Sequence, residues 1–259
     1  MTATKMPVLF VGHGSPTNAL ADNAFTRGLT ELGKNIPAPK AVVVVSAHWM
    51  TQGTWVTAMH RPQTIHDFAG FPDPLYEIKY PAPGAPWLAE LIAERVPNVK
   101  LDQENWGFDH GSWAILKYLY PEANVPVIQL SYDPSMPPEH HYELGKQLAF
   151  VRDHQVLIVG SGNLVHNLRK IVWKADAPAF SWATEFDAWA AEKIKARDTQ
   201  ALIKDYAASD AGKLSVPTPD HYYPFLYVLG AASRKDQVSF PYTGLENGSI
   251  SMRSVLYSA

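Results

Sequence analysis

The sequence predicts a single α/β domain over residues 1–259, with a central, mostly parallel or mixed sheet flanked by helices. Three observations carry that reading. Apolar runs at 7–11, 41–45 and 156–159 are rich in Val, Leu and Ile, as strands of a parallel sheet buried on both faces are. Between them lie stretches with apolar residues three or four apart, the spacing of helices that cover a sheet. Each run ends in a small residue with a histidine close behind: Gly12-His13-Gly14, Ser46-Ala47-His48, and Gly160-Ser161-Gly162 followed by His166. Open α/β sheets build their sites at the carboxyl ends of strands, so the functional site is expected along that edge.

The elements follow in order. The run at 7–11 is the first strand, and Pro16 stops it after the Gly-His-Gly-Ser turn. A helix over 23–32 carries Phe25, Leu29 and Leu32, with Asp22 as its cap. Four consecutive valines, Val42 to Val45, mark the second buried strand. If it lies beside the first, His13 and His48 reach one edge together. Residues 51–59 read as a further strand, 64–72 as an ordered loop rich in Phe, Gly and Pro, and 87–96 as a helix. A short edge strand at 99–101 precedes His110, which stands before a helix over 112–120. A helix N-terminus disfavours a charged imidazolium and suits a neutral, hydrogen-bonding one.

A third buried strand is expected at 125–131 and a helix at 139–153, with His140 and His141 on its solvent side. After the strand at 156–159, residues 163–168 read as a helical turn or a tight loop. Helices follow at 183–197, 199–207 and 225–232, the last preceded by His221, and closing strands lie at 238–240 and 249–255. His66 and Asp67 read as a local hydrogen-bonded pair.

Composition narrows the function. The chain is 46% hydrophobic and 18% charged with a formal charge of -3, so it offers no basic face for nucleic acid. It has no cysteine, which excludes disulfides, thiolate metal sites and a cysteine nucleophile. No apolar run approaches the ~20 residues of a membrane span. The first residues lack the apolar core of a signal peptide, and a cytoplasmic location is the expectation. Walker A, GxGxxG, HExxH and GxSxG patterns are absent. Five histidines in turn or strand-end contexts remain: His13, His48, His110, His166 and His221. Neutral imidazoles from separate loops suit one divalent transition metal such as Fe(II), Zn(II) or Mn(II), and a histidine left over can move protons near neutral pH.

Several motifs then occur together and in order. They are Gly12-His13-Gly14-Ser15-Pro16, Ser46-Ala47-His48-Trp49, His66-Asp67-Phe68-Ala69-Gly70-Phe71-Pro72, Tyr80-Pro81-Ala82-Pro83-Gly84, Phe108-Asp109-His110-Gly111 and Pro219-Asp220-His221-Tyr222. Spanning residues 7–252, this set resembles the class III extradiol ring-cleavage dioxygenases, in the 4,5-DOPA extradiol dioxygenase branch. The resemblance implies one divalent ion, Fe(II) for activity, with zinc found in some members as isolated. It implies O2-dependent opening of a catechol such as L-DOPA beside its diol, giving a muconic semialdehyde. By position it makes His13 and His48 metal ligands, His166 the acid/base beside the metal, and His110 a contact to substrate or oxygen.

The wider superfamily completes its metal site with a glutamate. Here the matching segment offers Asp220-His221, and the branch resembled implies His221. Whether His166 also ligates the ion stays open. Phe68, Phe71, Trp113 and Tyr222 are the expected aromatic walls. The implied partners are a small catechol and O2, for a monomer or small homo-oligomer. The same histidines also suit a zinc-dependent hydrolase with His166 as general base, or a non-catalytic metal- and phenol-binding protein.

Overall fold

Strands form where residues apolar on both faces let them sit at the centre of a sheet. In the computed structural model, which describes residues 5–259, the strands are β1 Val8–Gly12, β2 Ala41–Met50, β3 Thr54–Thr57, β4 Val99–Asp102, β5 Val127–Tyr132, β6 Val156–Gly162, β7 Gln237–Ser239, β8 Leu245–Glu246, β9 Ile250–Ser251 and β10 Val255–Ser258. Eight of them make one mixed sheet in the order β4-β3-β5-β2-β6-β1-β10-β7, and β8 and β9 form a separate hairpin. The middle four strands, β5-β2-β6-β1, are parallel. The expectation about a signal segment falls partly on residues 1–4, outside the described residues. Among the described residues no helix is long and apolar enough to cross a membrane.

The helices are α1 Ala24–Asn35, α2 Asp73–Tyr76, α3 Pro86–Arg95, α4 His110–Leu119, α5 Pro138–Leu148, α6 Ser181–Ala196, α7 Asp210–Ser215 and α8 Tyr223–Ala231. Alternation along the strands divides the core. Val8, Phe10, Val43, Val45 and Ile158 face one layer, with α3, α5, α6 and α8 packed on it. Leu9, Val11, Val42, Val44, Leu157 and Val159 face the other, under α1 and α4. Each such side chain, fully buried, contributes about 1.5–3 kcal/mol, so this sandwich is the rigid base of the site.

Three expectations need correction. β1 and β2 are not neighbours, because β6, buried along its whole length, lies between them and pairs in parallel with both. His141 is fully buried rather than solvent-facing. Its ring lies 4.0 Å from that of Tyr223 and its Nδ1 is 3.2 Å from the Tyr227 hydroxyl, because that face of α5 packs on α8. The helix expected at 139–153 ends at Leu148 and tightens into a 3-10 turn, Ala149–His154. Of the two readings of residues 163–168 the structure has the tight loop, with His166 bridged to Ile250 of β9. α2 and α7 are too short to show a period in the sequence.

Candidate active site

The carboxyl ends of β1, β2 and β6 deliver the site. β1 ends at Gly12, and the next residues turn sharply because Gly14 takes a φ of +65°, which a side chain would strain. That turn leaves His13 almost fully buried beside β6. His48 lies near the end of β2, beyond the last regular pairs. Gly162 closes β6, and a Cβ there would meet the His221 carbonyl oxygen at 2.2 Å. Its missing side chain lets the segment before α8 lie on the strand end, where Asn163 N–H donates to that carbonyl at 2.9 Å. His166 follows on the same loop, its N–H donating to Ser215 O at 2.8 Å. His110 opens α4, capped by Asp109, whose carboxylate accepts from Ser112 N–H.

All five expected histidines therefore meet at one place. The ring centres of His13, His48 and His221 form a nearly equilateral triangle, with separations of 5.1, 5.2 and 5.1 Å. His110 lies 3.9 Å from His48 and 5.7 Å from His13. His166 stacks flat on His221, ring centres 3.4 Å apart. Donor atoms of His13, His48 and His110 lie within 4.8 Å of one another, as do those of His166, Asp220 and His221.

Hydrogen bonds fix which nitrogen carries the proton in three of these rings. Ser161 Oγ donates to Gly111 O at 2.5 Å, so toward His13 Nδ1, 2.9 Å away, it can only accept. Nδ1 of His13 is then protonated and Nε2 keeps its lone pair. Asp220 accepts from Nδ1 of His221, and Asp67 accepts from both Nδ1 and the backbone N–H of His110, each at 2.8 Å. Nε2 of His221 is again bare. His13 Nε2 stands 3.2 Å from His48 Nε2, so a lone pair faces the neighbouring ring. Bare Nε2 atoms backed by carboxylate or hydroxyl acceptors are how metal-binding histidines are held.

Burial keeps four of the five rings neutral. It holds His13 and His221 well below the usual histidine range, and neighbouring imidazoles push in the same direction. Burial and His110 bring His48 down to about 3, against the opposing charge of Asp67. Burial brings His166 to about 4, although Asp220 raises it. Burial pushes the Asp67 carboxyl up, but the hydrogen bonds from His110 and the imidazoles around it outweigh that, and the net shift is downward. A set of neutral nitrogens with open lone pairs fits a divalent transition metal.

The histidines floor a cavity of about 460 Å³, the size of a small-ligand site. Phe68 and Phe71 stand in its wall, with Phe68 edge-on to His110 at 5.4 Å. Two expected walls lie elsewhere. Tyr222 is buried in the core, its hydroxyl donating to Leu202 O and its ring 4.6 Å from Tyr206. It points away from the cavity because the turn that carries His221 to the metal-facing side sends the next side chain inward. Trp113, on the buried face of α4, donates its indole N–H to Ile65 O at 2.8 Å. His66 does not pair with Asp67 but meets Ile78 O, at 3.1 Å.

Sequence reasoning missed several members of the site. Ser161 was visible only as part of Gly-Ser-Gly. Asp67 and Asp109 lay inside quoted motifs without a role, and Asp109 proves fully buried, held by Ser46, Gln129 and Trp106. Leu168, Trp173 and Glu246 also line the cavity, and nothing in their local sequence marks them.

Residues 5–251 match the family model described as the catalytic LigB subunit of aromatic ring-opening dioxygenase. A protein of Escherichia coli (strain K12) named 4,5-DOPA dioxygenase extradiol is 50% identical over 98% of this chain and 96% of its own length. Proteins of the same name from Portulaca grandiflora and Beta vulgaris are 36% and 34% identical, each over 96% of this chain and 95–96% of theirs. The crystal structure of an uncharacterized protein from Escherichia coli K12 superposes with a TM-score of 0.84 at 46% identity, covering 97% of this chain and 99% of that one. The chain belongs to the LigB family of aromatic ring-opening dioxygenases and is an extradiol ring-opening enzyme.

Proposed function

We propose that the protein opens a catechol such as L-DOPA beside its diol, using one divalent ion held by His13, His48 and His221. The observation that carries the metal is the triangle of ring centres. Three imidazoles that share one ion at about 2.1 Å in tetrahedral directions place their centres roughly 5 Å apart, and these three do so. His110, at 3.9 and 5.7 Å from His48 and His13, breaks that symmetry. When bound, Fe(II) supplies Lewis acidity toward the diol and electrons to O2.

The chain's own groups do the rest. Phe68 and Phe71 hold the ring and keep water from it. His110, oriented by two hydrogen bonds to Asp67, presents Nε2 toward the cavity as a hydrogen-bond partner for substrate. His166 is neutral at pH 7 and takes a proton at its ring nitrogen from a catechol hydroxyl, returning it later. Its stacking on His221 leaves its edge free to do so. The product is a muconic semialdehyde that keeps both oxygens of O2.

The test is oxygen uptake after anaerobic Fe(II) loading, with a panel of catechols and absorbance of the yellow product read together. One O2 per ring is expected with Fe(II). No uptake by fully loaded protein across the panel rejects the proposal.

A further inference from the structure

The histidines account for the floor of the cavity but not for its far wall. Among the described residues lining the cavity none is Lys or Arg, and one carboxylate, Glu246, is free of a histidine. Glu246 is half-buried, and among the described residues no cation stands against it. Its carboxyl is pushed up by burial and eased only by the side-chain amide of Asn18. A half-buried carboxylate with no counter-ion is costly unless a ligand supplies the charge.

Its position suits a substrate side chain. Glu246 of β8 pairs with Ile250 of β9, and Ile250 in turn bridges to His166. Two inter-strand steps, about 10 Å in all, separate the backbone of Glu246 from that of the proton-moving histidine. That is roughly the reach of a catechol ring with a short tail. Asn247 ties the Trp173 segment beside it, accepting from Val172 N–H at 2.9 Å and donating to Ala175 O at 3.2 Å. The Trp173 indole is 77% exposed at the mouth of the same cavity. A carboxylate next to an aromatic face is what an ammonium group seeks.

We propose that Glu246 is a specificity-determining residue that binds a protonated amine on the substrate side chain and so favours an amine-bearing tail over a neutral one. The proposal rests on the histidine centre as the place where the diol binds. It deepens that reading by naming the residue that reads the substrate's side chain.

Four probes that differ only in the tail test it: 4-(2-aminoethyl)catechol, 4-ethylcatechol, L-DOPA and 3-(3,4-dihydroxyphenyl)propionate. Dissociation constants from calorimetry and kcat/KM from oxygen uptake are measured on the metal-loaded protein. The amine is expected to exceed the neutral ethyl compound about 10- to 100-fold, the worth of a charge-assisted hydrogen bond. L-DOPA, which carries the same amine, should also exceed the ethyl compound, and the propionate, whose carboxylate would face Glu246, should rank last. Glu246→Gln should bring the amine-to-ethyl ratio toward one, and Glu246→Lys should turn the order toward the propionate. A wild-type ratio near one, or a ratio that Glu246→Gln leaves intact, overturns the proposal. Selective amine binding without turnover of any probe supports it while rejecting the ring-opening reading.

Discussion

Ser161→Ala tests the logic of the centre without touching a ligand. Ser161 Oγ gives its one proton to Gly111 O and accepts from His13 Nδ1. In the alanine variant a buried Nδ1–H loses its acceptor, which costs about 1–3 kcal/mol. The imidazole escapes that cost by moving its proton to Nε2, the nitrogen that must be bare to bind metal. Binding then has to reverse the move, so affinity should fall about 10- to 100-fold, 1.4 kcal/mol being one decade. Gly111 O keeps its place in the α4 ladder and loses only a second donor, so the metal-free protein should lose no more than about 0.5–1.5 kcal/mol of stability. Competition against a chelator for Zn(II) or Co(II) reads the affinity, and urea unfolding reads the stability. A folded variant with wild-type metal affinity refutes the tautomer argument.

Three other outcomes follow from the same geometry. Elemental analysis should find His221→Ala nearly empty and Asp220→Asn partly loaded, since one removes a ligand and the other only its backing; the reverse order would make Asp220 the ligand. His166→Gln should keep its metal and lose about 10²–10⁴-fold in turnover, so emptying of its site would make His166 a ligand instead. His141 sits at about 4 in the folded chain through burial, against about 6.5 unfolded. The unfolded chain therefore binds more protons between those values, and stability falls as pH drops from about 6.5 toward 4. At pH 5 the loss is about 2 kcal/mol. His141→Phe should lose that much less than wild type between pH 7 and pH 5 in urea unfolding, and equal losses would contradict the assignment.

What could be read in the sequence was what repeats locally. Val42 to Val45 and the run before Gly160 declare buried strands by composition alone, and the glycines beside His13 mark a turn. The five histidines were legible because each follows such a strand or opens a helix. Order within the sheet was not: nothing in β1 or β2 says that β6 separates them, since that depends on which strand can tolerate burial on both faces and both edges. Tyr222 failed as a wall for a related reason. Adjacent residues in a turn point in different directions, and proximity to His221 in sequence placed the ring in the core. Glu246 and Ser161 act through partners more than seventy residues away in one case and nearly 150 in the other, a distance no local pattern spans.

If His13, His48 and His221 hold the ion as proposed, the residues behind them balance a dication in a buried place. Neutral imidazoles bring no charge, and a dication left among them without compensation is costly. The wider superfamily meets this with a carboxylate ligand. In this chain the negative charge stands one hydrogen bond further out. Asp220 backs His221, and Asp67 backs His110 while lying 3.6 Å from His48 Nδ1. Two carboxylates match the ion's two charges. Each also draws on an Nδ1–H and so makes the opposite nitrogen a better donor. Asp67 stays ionised to do this because the hydrogen bonds from His110 outweigh its burial. Charge balance therefore comes from residues that bind no metal themselves, and the ligand nitrogens stay uncharged.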